Sequence, residues 1–167
     1  MNNTLNKTLF SLTLGMISAL STTHILANQA DAIQISDPFI REMPPGAFAT
    51  ASFMTLNNQS DAPIKLMKAS SNAAQTVELH THTNDNGVMQ MRQVSFFNIP
   101  AKGQTQLKPG GNHIMLLSPT KKLVAGQKAT ITLTFDDGSS KQIQVPVKSV
   151  MNMGGSNSMD HSKHQHH

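Results

Sequence analysis

Residues Thr130–Val147 read TITLTFDDGSSKQIQVPV. TITLTF alternates polar and apolar residues, KQIQVPV does so again, and Asp137-Gly138 lies between them. Alternation with a period of two puts the apolar set on one face of a strand. Asp-Gly supplies the turn residues of a tight hairpin. The stretch therefore predicts two antiparallel strands that cover a core with one face.

The same pattern continues outward. Candidate strands are Ile33–Arg41, Phe48–Asn57, Ile64–Ser70, Thr76–Thr81, Val88–Val94, Thr105–Leu107, His113–Leu117, Ala129–Phe135 and Lys141–Val147. Turn signals separate them: Pro44-Pro45-Gly46, Asn84-Asp85-Asn86-Gly87, Pro109-Gly110-Gly111 and Asp136-Asp137-Gly138. Short strands at this spacing predict an all-β fold, a Greek-key β-sandwich or barrel. Asn72–Thr76 is a candidate helical turn. No long amphipathic helix and no internal repeat stand out.

Both ends differ from this middle. Lys7 precedes the apolar run LFSLTLGMISAL at Leu9–Leu20, the length of a signal h-region and short for a membrane span. Ala27, Ala30 and Ala32 are candidate cleavage positions, and Ala30-Asp31-Ala32 fits the small-x-small pattern best. We therefore divide the chain into an export signal at 1–30, a β-domain at 31–150 and a tail at 151–167. The protein is expected in the periplasm, with no membrane span once the signal is removed. The tail MNMGGSNSMDHSKHQHH has too little apolar mass to pack and is expected to be disordered.

The chain of 167 residues has no cysteine, tryptophan or tyrosine, but 11 methionines and 8 histidines. Without cysteine there is no disulfide, thiolate zinc site, cysteine nucleophile, blue-copper centre or lipid-bearing cysteine. Methionine thioether is soft and imidazole borderline, a donor mixture that suits copper better than magnesium or calcium. The formal charge of +4 includes Lys7, and the lysines are scattered. No basic run is interleaved with stacking aromatics, so no nucleic-acid partner is expected.

Strand geometry groups the donors. In His113-Ile114-Met115-Leu116, Ile114 and Leu116 form a core pair, which turns His113 and Met115 together to the other face. In Val77-Glu78-Leu79-His80, the same logic puts Glu78 and His80 on the non-core face. If Asn84–Gly87 makes a hairpin, Met91 comes close to His80. Convergence of His80, Met91, His113 and Met115 would give a neutral N2S2 set suited to Cu(I), with zinc the runner-up metal. His82 shares a face with His80, and Met89 with Met91, so alternation leaves both pairs open. Met54 and Met67 lie on apolar strands and are expected as core filler. Met43, beside Pro44, is read as a loop residue near the site rather than a ligand.

The sequence resembles the periplasmic copper chaperone family known as PCuAC, whose motif is His-x10-Met-x21-His-x-Met. Here ten residues separate His80 from Met91, and twenty-one separate Met91 from His113-Ile114-Met115. VELH at Val77–His80, GVMQMRQV at Gly87–Val94 and KPGGNHIMLL at Lys108–Leu117 add to the likeness, which covers roughly Ile33 to Val147. The resemblance implies a cupredoxin-like fold and assigns His80 over His82 and Met91 over Met89. It implies Cu(I) carriage toward the copper centres of cytochrome c oxidase, with an oxidase subunit or assembly factor as acceptor. Tails rich in Met and His are similar to those of some family members. Here Met151, Met153, Met159, His161, His164, His166 and His167 would form a second metal site, for Cu(II).

Copper storage or buffering in the envelope is the alternative role, without a dedicated acceptor. An enzyme is not expected, and no catalytic residue is assigned. A histidine-brace copper oxidase needs an N-terminal histidine, and only His24 precedes the domain. Glu42 and Glu78 are the sole glutamates, and no paired-carboxylate or Ser/His/Asp pattern is evident.

Overall fold

The computed structural model describes residues 28–149. Residues 1–27 of the expected signal and the whole expected tail lie outside the described residues. Ten strands follow one short helix: α1 Gln29–Ala32, β1 Ile33–Arg41, β2 Ala49–Asn58, β3 Ile64–Ser71, β4 Ala74–Asp85, β5 Val88–Gln93, β6 Phe97–Ile99, β7 Gln104–Leu107, β8 His113–Pro119, β9 Lys128–Phe135 and β10 Ser140–Lys148.

The strands form one continuous hydrogen-bonded path, β5-β4-β8-β2-β1-β10-β9-β3-β6, with β7 added on β2. All pairings along the path are antiparallel except β1 with β10, a short parallel seam at Ile40↔Val147 and Arg41↔Lys148. The path folds about that seam into the expected all-β sandwich. Its interior holds Leu56, Leu66, Ile114, Leu116, Ile131 and Leu133, all fully buried. The Asp137-Gly138 hairpin is present: Ile143 pairs with Ile131, and Gly138 closes the turn at φ +81°.

Several expectations shift. Asn72–Thr76 is not a helical turn. Asn72 and Ala73 form a tight turn between β3 and β4. The turn is held because Asn72 Oδ1 accepts from the Thr130 amide at 3.1 Å and Ser71 Oγ from the Ala73 amide at 3.1 Å. Met54 is core filler as expected, but Met67 is exposed. The register shifts between Leu66 and Lys68, so Met67 and Lys68 both fall outside while Leu66 and Ala69 stay buried. Met43 is buried in the core, with its amide bonded to the Leu123 carbonyl at 3.0 Å. Strand β6 has only three residues, too few for an alternation signal. It exists because Phe97 and Ile99 enter the core and pair with Leu66 and Ile64.

At the start of the domain, α1 is capped by Asn28, whose side chain accepts from the Asp31 amide at 2.9 Å. The helix is tied to the β9–β10 turn. Gln29 and Ala30 donate their amides to Asp137 Oδ2 at 2.8 Å and Ser139 Oγ at 3.0 Å. Ala30 is buried.

Candidate metal centre

The face of β4, β5, β8 and β2 turned away from the main core carries the predicted donors. Antiparallel register decides who meets whom, because directly opposed residues share a face. His80 lies opposite His113, Glu78 opposite Met115, and Ala51 of β2 also opposite Met115. Alanine at positions 49 and 51 leaves room beside the Met115 thioether. The Asn86-Gly87 turn, with φ of +51° and +87°, makes the β4–β5 hairpin. Its register puts Met91 opposite His82, and His80 opposite Gln93. Met91 is therefore His82's direct neighbour and only a diagonal one of His80.

An open cleft of about 400 Å³ lies on this face. His82, Met91, His113 and Met115 line it, together with Arg41 and Phe53. The cleft thus includes His82, whereas the resemblance assigns His80, which sits beside it against His113. The ring centroids are 5.8 Å apart for His80 and His113, and 5.2 Å for His82 and His113. Two rings sharing one ion through bonds of about 2.0–2.1 Å cannot have centroids more than about 6.4 Å apart, and neither pair exceeds that limit. Met89 is exposed and is not among the lining residues.

The hydrogen bonds of the imidazoles are one-sided. His80 Nε2 lies 2.7 Å from Glu78 Oε2, while its Nδ1 is buried and has no partner. His113 Nδ1 lies 2.9 Å from the Gly111 carbonyl, while its Nε2 is buried and has no partner. A carbonyl or carboxylate only accepts, so the bonded nitrogen carries the proton and the other keeps its lone pair. Buried polar atoms are rarely left unpaired, because each costs about 1–3 kcal/mol. Two of them, on directly opposed residues, are the arrangement a metal ligand pair needs. An oxygen partner on the far nitrogen is also how ligating histidines are usually oriented. The Gly111 carbonyl comes from the Pro109–Gly111 turn, which Lys108 and Asn112 close with a 2.8 Å backbone bond. Sequence reading found Glu78 on this face but missed Gly111, since a backbone acceptor leaves no residue-type signal.

His113 is only 2% exposed, although it points away from the main core. Phe53 packs beside it with ring centroids 6.3 Å apart, and Phe53 in turn meets the tilted ring of Phe39 at 5.1 Å and the Arg41 guanidinium at 5.5 Å. Burial holds the His113 pKa below its ordinary value. The neighbouring His82, His80 and Arg41 add to the lowering, and the Gly111 bond opposes it. Below the ordinary value of about 6.5, the unfolded chain takes up a proton that folded His113 refuses. Stability from this residue is therefore full above that pH and falls on acidification toward the lowered folded value. Thermal melts of the metal-free protein at pH 7.5 and 5.5 should show a lower Tm at pH 5.5. The drop should shrink in His113→Gln; an equal drop in the variant would assign the effect elsewhere.

Among the described residues, no group of three or more His, Asp or Glu side chains is placed to hold a metal. The donors that do come together are imidazole and thioether. Met91 is 47% exposed and Met115 is half-buried, and both residues line the open cleft.

Comparison with known proteins agrees with this fold. Residues 33–147 match the LpqE-like family, described as "Putative lipoprotein LpqE-like". None of the 167 residues here is a cysteine. A Leifsonia xyli subsp. xyli protein, "Putative lipoprotein Lxx21020", is 39% identical over 121 residues, 72% of each chain. The solution structure of Cu(I)-bound DR1885 from Deinococcus radiodurans is 35% identical, with TM-score 0.57, covering 71% of this chain and 81% of that one. The copper-bound PCuAC domain of PmoF2 is 23% identical, with TM-score 0.60, covering 71% and 93%, and shares the fold. The chain belongs to the LpqE-like family, and its domain has the cupredoxin-like fold of the PCuAC copper chaperones.

Proposed function

We propose that this protein is an exported copper chaperone. It holds one Cu(I) through His80, Met91, His113 and Met115 and passes it to a copper-accepting protein. The destination implied by the family resemblance is the copper centres of cytochrome c oxidase. The observation that carries this reading is the pair of buried, unpartnered imidazole nitrogens on His80 and His113. Imidazole and thioether are neutral, soft-to-borderline donors, so they hold a monocation without adding a buried negative charge. The DR1885 structure, 35% identical, contains Cu(I). The exposed Met91 thioether is the ligand an acceptor can displace first, which allows transfer by ligand exchange without free copper.

X-ray absorption on the Cu(I)-loaded full-length protein, with His161, His164, His166 and His167 replaced by glutamine, tests the core site. Mixed nitrogen and sulfur scattering is expected, and nitrogen alone would reject it. Copper transfer that accelerates with acceptor concentration distinguishes a carrier from an envelope store. The tail residues Met151, Met153, Met159, His161, His164, His166 and His167 are proposed as a second, Cu(II)-binding site.

Glu78 positions His80 by fixing its protonated nitrogen. Glu78→Ala should weaken Cu(I) binding by about 10–100-fold, read by competition with a cuprous chelator. Glu78→Gln, which keeps an acceptor oxygen, should recover part of the loss. Equal affinity in all three proteins would remove Glu78 from the site.

We further propose that the export signal is cut after Ala27, rather than at residue 30, where the division by sequence pattern puts its end, or after Ala32, which the small-x-small pattern favours. A cut after Ala30 or Ala32 would remove the Gln29 and Ala30 amides that bind the β9–β10 turn. N-terminal sequencing of periplasmic protein should begin at Asn28, and a start at Asp31 or Ile33 would reject the assignment.

A further inference from the structure

His82 is not needed for the four-ligand Cu(I) set, yet it lines the cleft with Met91, His113 and Met115. Its ring lies nearer His113 than the His80 ring does, at 5.2 Å against 5.8 Å. Its Nδ1 approaches the same Gly111 carbonyl that holds His113 Nδ1, at 3.4 Å and 2.9 Å respectively. One backbone oxygen thus orients two imidazoles, and among the described residues no protein atom bonds the Nε2 of either.

Resting on the copper reading above, we infer that the cleft is a second binding mode for the same face, in which His82 and His113 hold Cu(II). The two oxidation states divide the histidines of β4 by burial. The free nitrogens of His80 and His113 are both buried, whereas His82 lines the open cleft, so the cuprous pair has two buried donors and the cupric pair one. A dication is far more costly to desolvate than a monocation, by about fourfold in the Born limit where cost follows the square of the charge. Cu(II) also prefers nitrogen and oxygen donors and accepts more of them. At His82 the cleft is open to water, which completes the cupric coordination. At His80 the buried nitrogen faces fewer waters and suits the softer, lower-coordinate Cu(I). His113 is common to both sets, so the two ions compete for one face rather than bind together. Arg41 lines the cleft and opposes the dication more than the monocation, so the cupric mode is the weaker.

The test uses full-length protein with His161, His164, His166 and His167 changed to glutamine, and two further variants, His82→Asn and His80→Asn. Cu(I) and Cu(II) are titrated separately. Cuprous affinity is read by chelator competition, and cupric coordination by electron paramagnetic resonance with imidazole counting by spin-echo modulation. His82→Asn should weaken Cu(II) by at least about tenfold and remove one of two imidazoles, with Cu(I) affinity within threefold of the parent. His80→Asn should do the reverse. Retained binding of the other ion shows in each case that the variant is folded. Parallel loss of both ions in either variant, or an unchanged cupric spectrum in His82→Asn, overturns the inference. A parent that binds Cu(I) but not Cu(II) overturns it too and leaves the chaperone reading standing. A parent that binds neither ion defeats that reading itself.

Discussion

Replacing His113 with leucine should weaken Cu(I) binding by at least about a hundredfold, while the metal-free domain stays within about 1 kcal/mol of the parent's stability. The two halves of this result have one cause. His113 is 2% exposed and has a buried nitrogen without a partner. Such an atom is a cost to the folded state unless something binds it. Leucine loses the bond from Nδ1 to the Gly111 carbonyl, but it removes the unpartnered nitrogen and fills similar apolar space beside Phe53. The gain and loss offset each other in the absence of metal. With copper present nothing replaces the lone pair, and a hundredfold loss is about 2.7 kcal/mol of binding. Chelator competition and thermal melts, with the four tail histidines changed to glutamine, measure the two halves. Affinity within a few-fold of the parent would move the metal centre away from β8.

Leu116→Ala should destabilise the domain by about 3–5 kcal/mol. Leu116 is fully buried, one residue beyond Met115 on β8, which is hydrogen-bonded to β4 on one side and β2 on the other. A strand held on both sides cannot close over the missing methyl groups, so the cavity persists. That is a large part of the roughly 5–15 kcal/mol available to a domain, and Tm should fall by roughly 10–20 °C. Leu116 turns to the core and not to the cleft, so any variant that remains folded should bind Cu(I) as the parent does when measured well below its Tm. A normal Tm in Leu116→Ala would contradict the burial on which the strand assignment rests.

These two substitutions sit three residues apart and act on opposite faces of one strand. That division was already visible in HIMLL. Alternation needs no partner strand to be seen, because successive side chains must point to opposite sides. The hairpins at Asn86-Gly87 and Asp137-Gly138 were equally readable, since few residues accept the turns they make. Strand β6 was not readable, because three residues are too short to show a period. Its pairing with β3 comes from what surrounds it. Met67 departs from the core position expected of it because a bulge leaves no mark in the sequence: one extra residue on one strand sends two neighbours to the same side.

The donor residue types and their distribution between faces follow from the order of amino acids alone, as do the all-β class and the export signal proposed for the N-terminus. These depend on local rules, namely strand alternation, turn chemistry and the softness of sulfur and imidazole. Which donors meet depends on register, and register is set between strands. Only the folded domain places His80 against His113 and Met91 against His82. Only there does a glycine carbonyl fix which nitrogen of His113 is free. A backbone oxygen has no residue identity, so its role is settled by three-dimensional proximity.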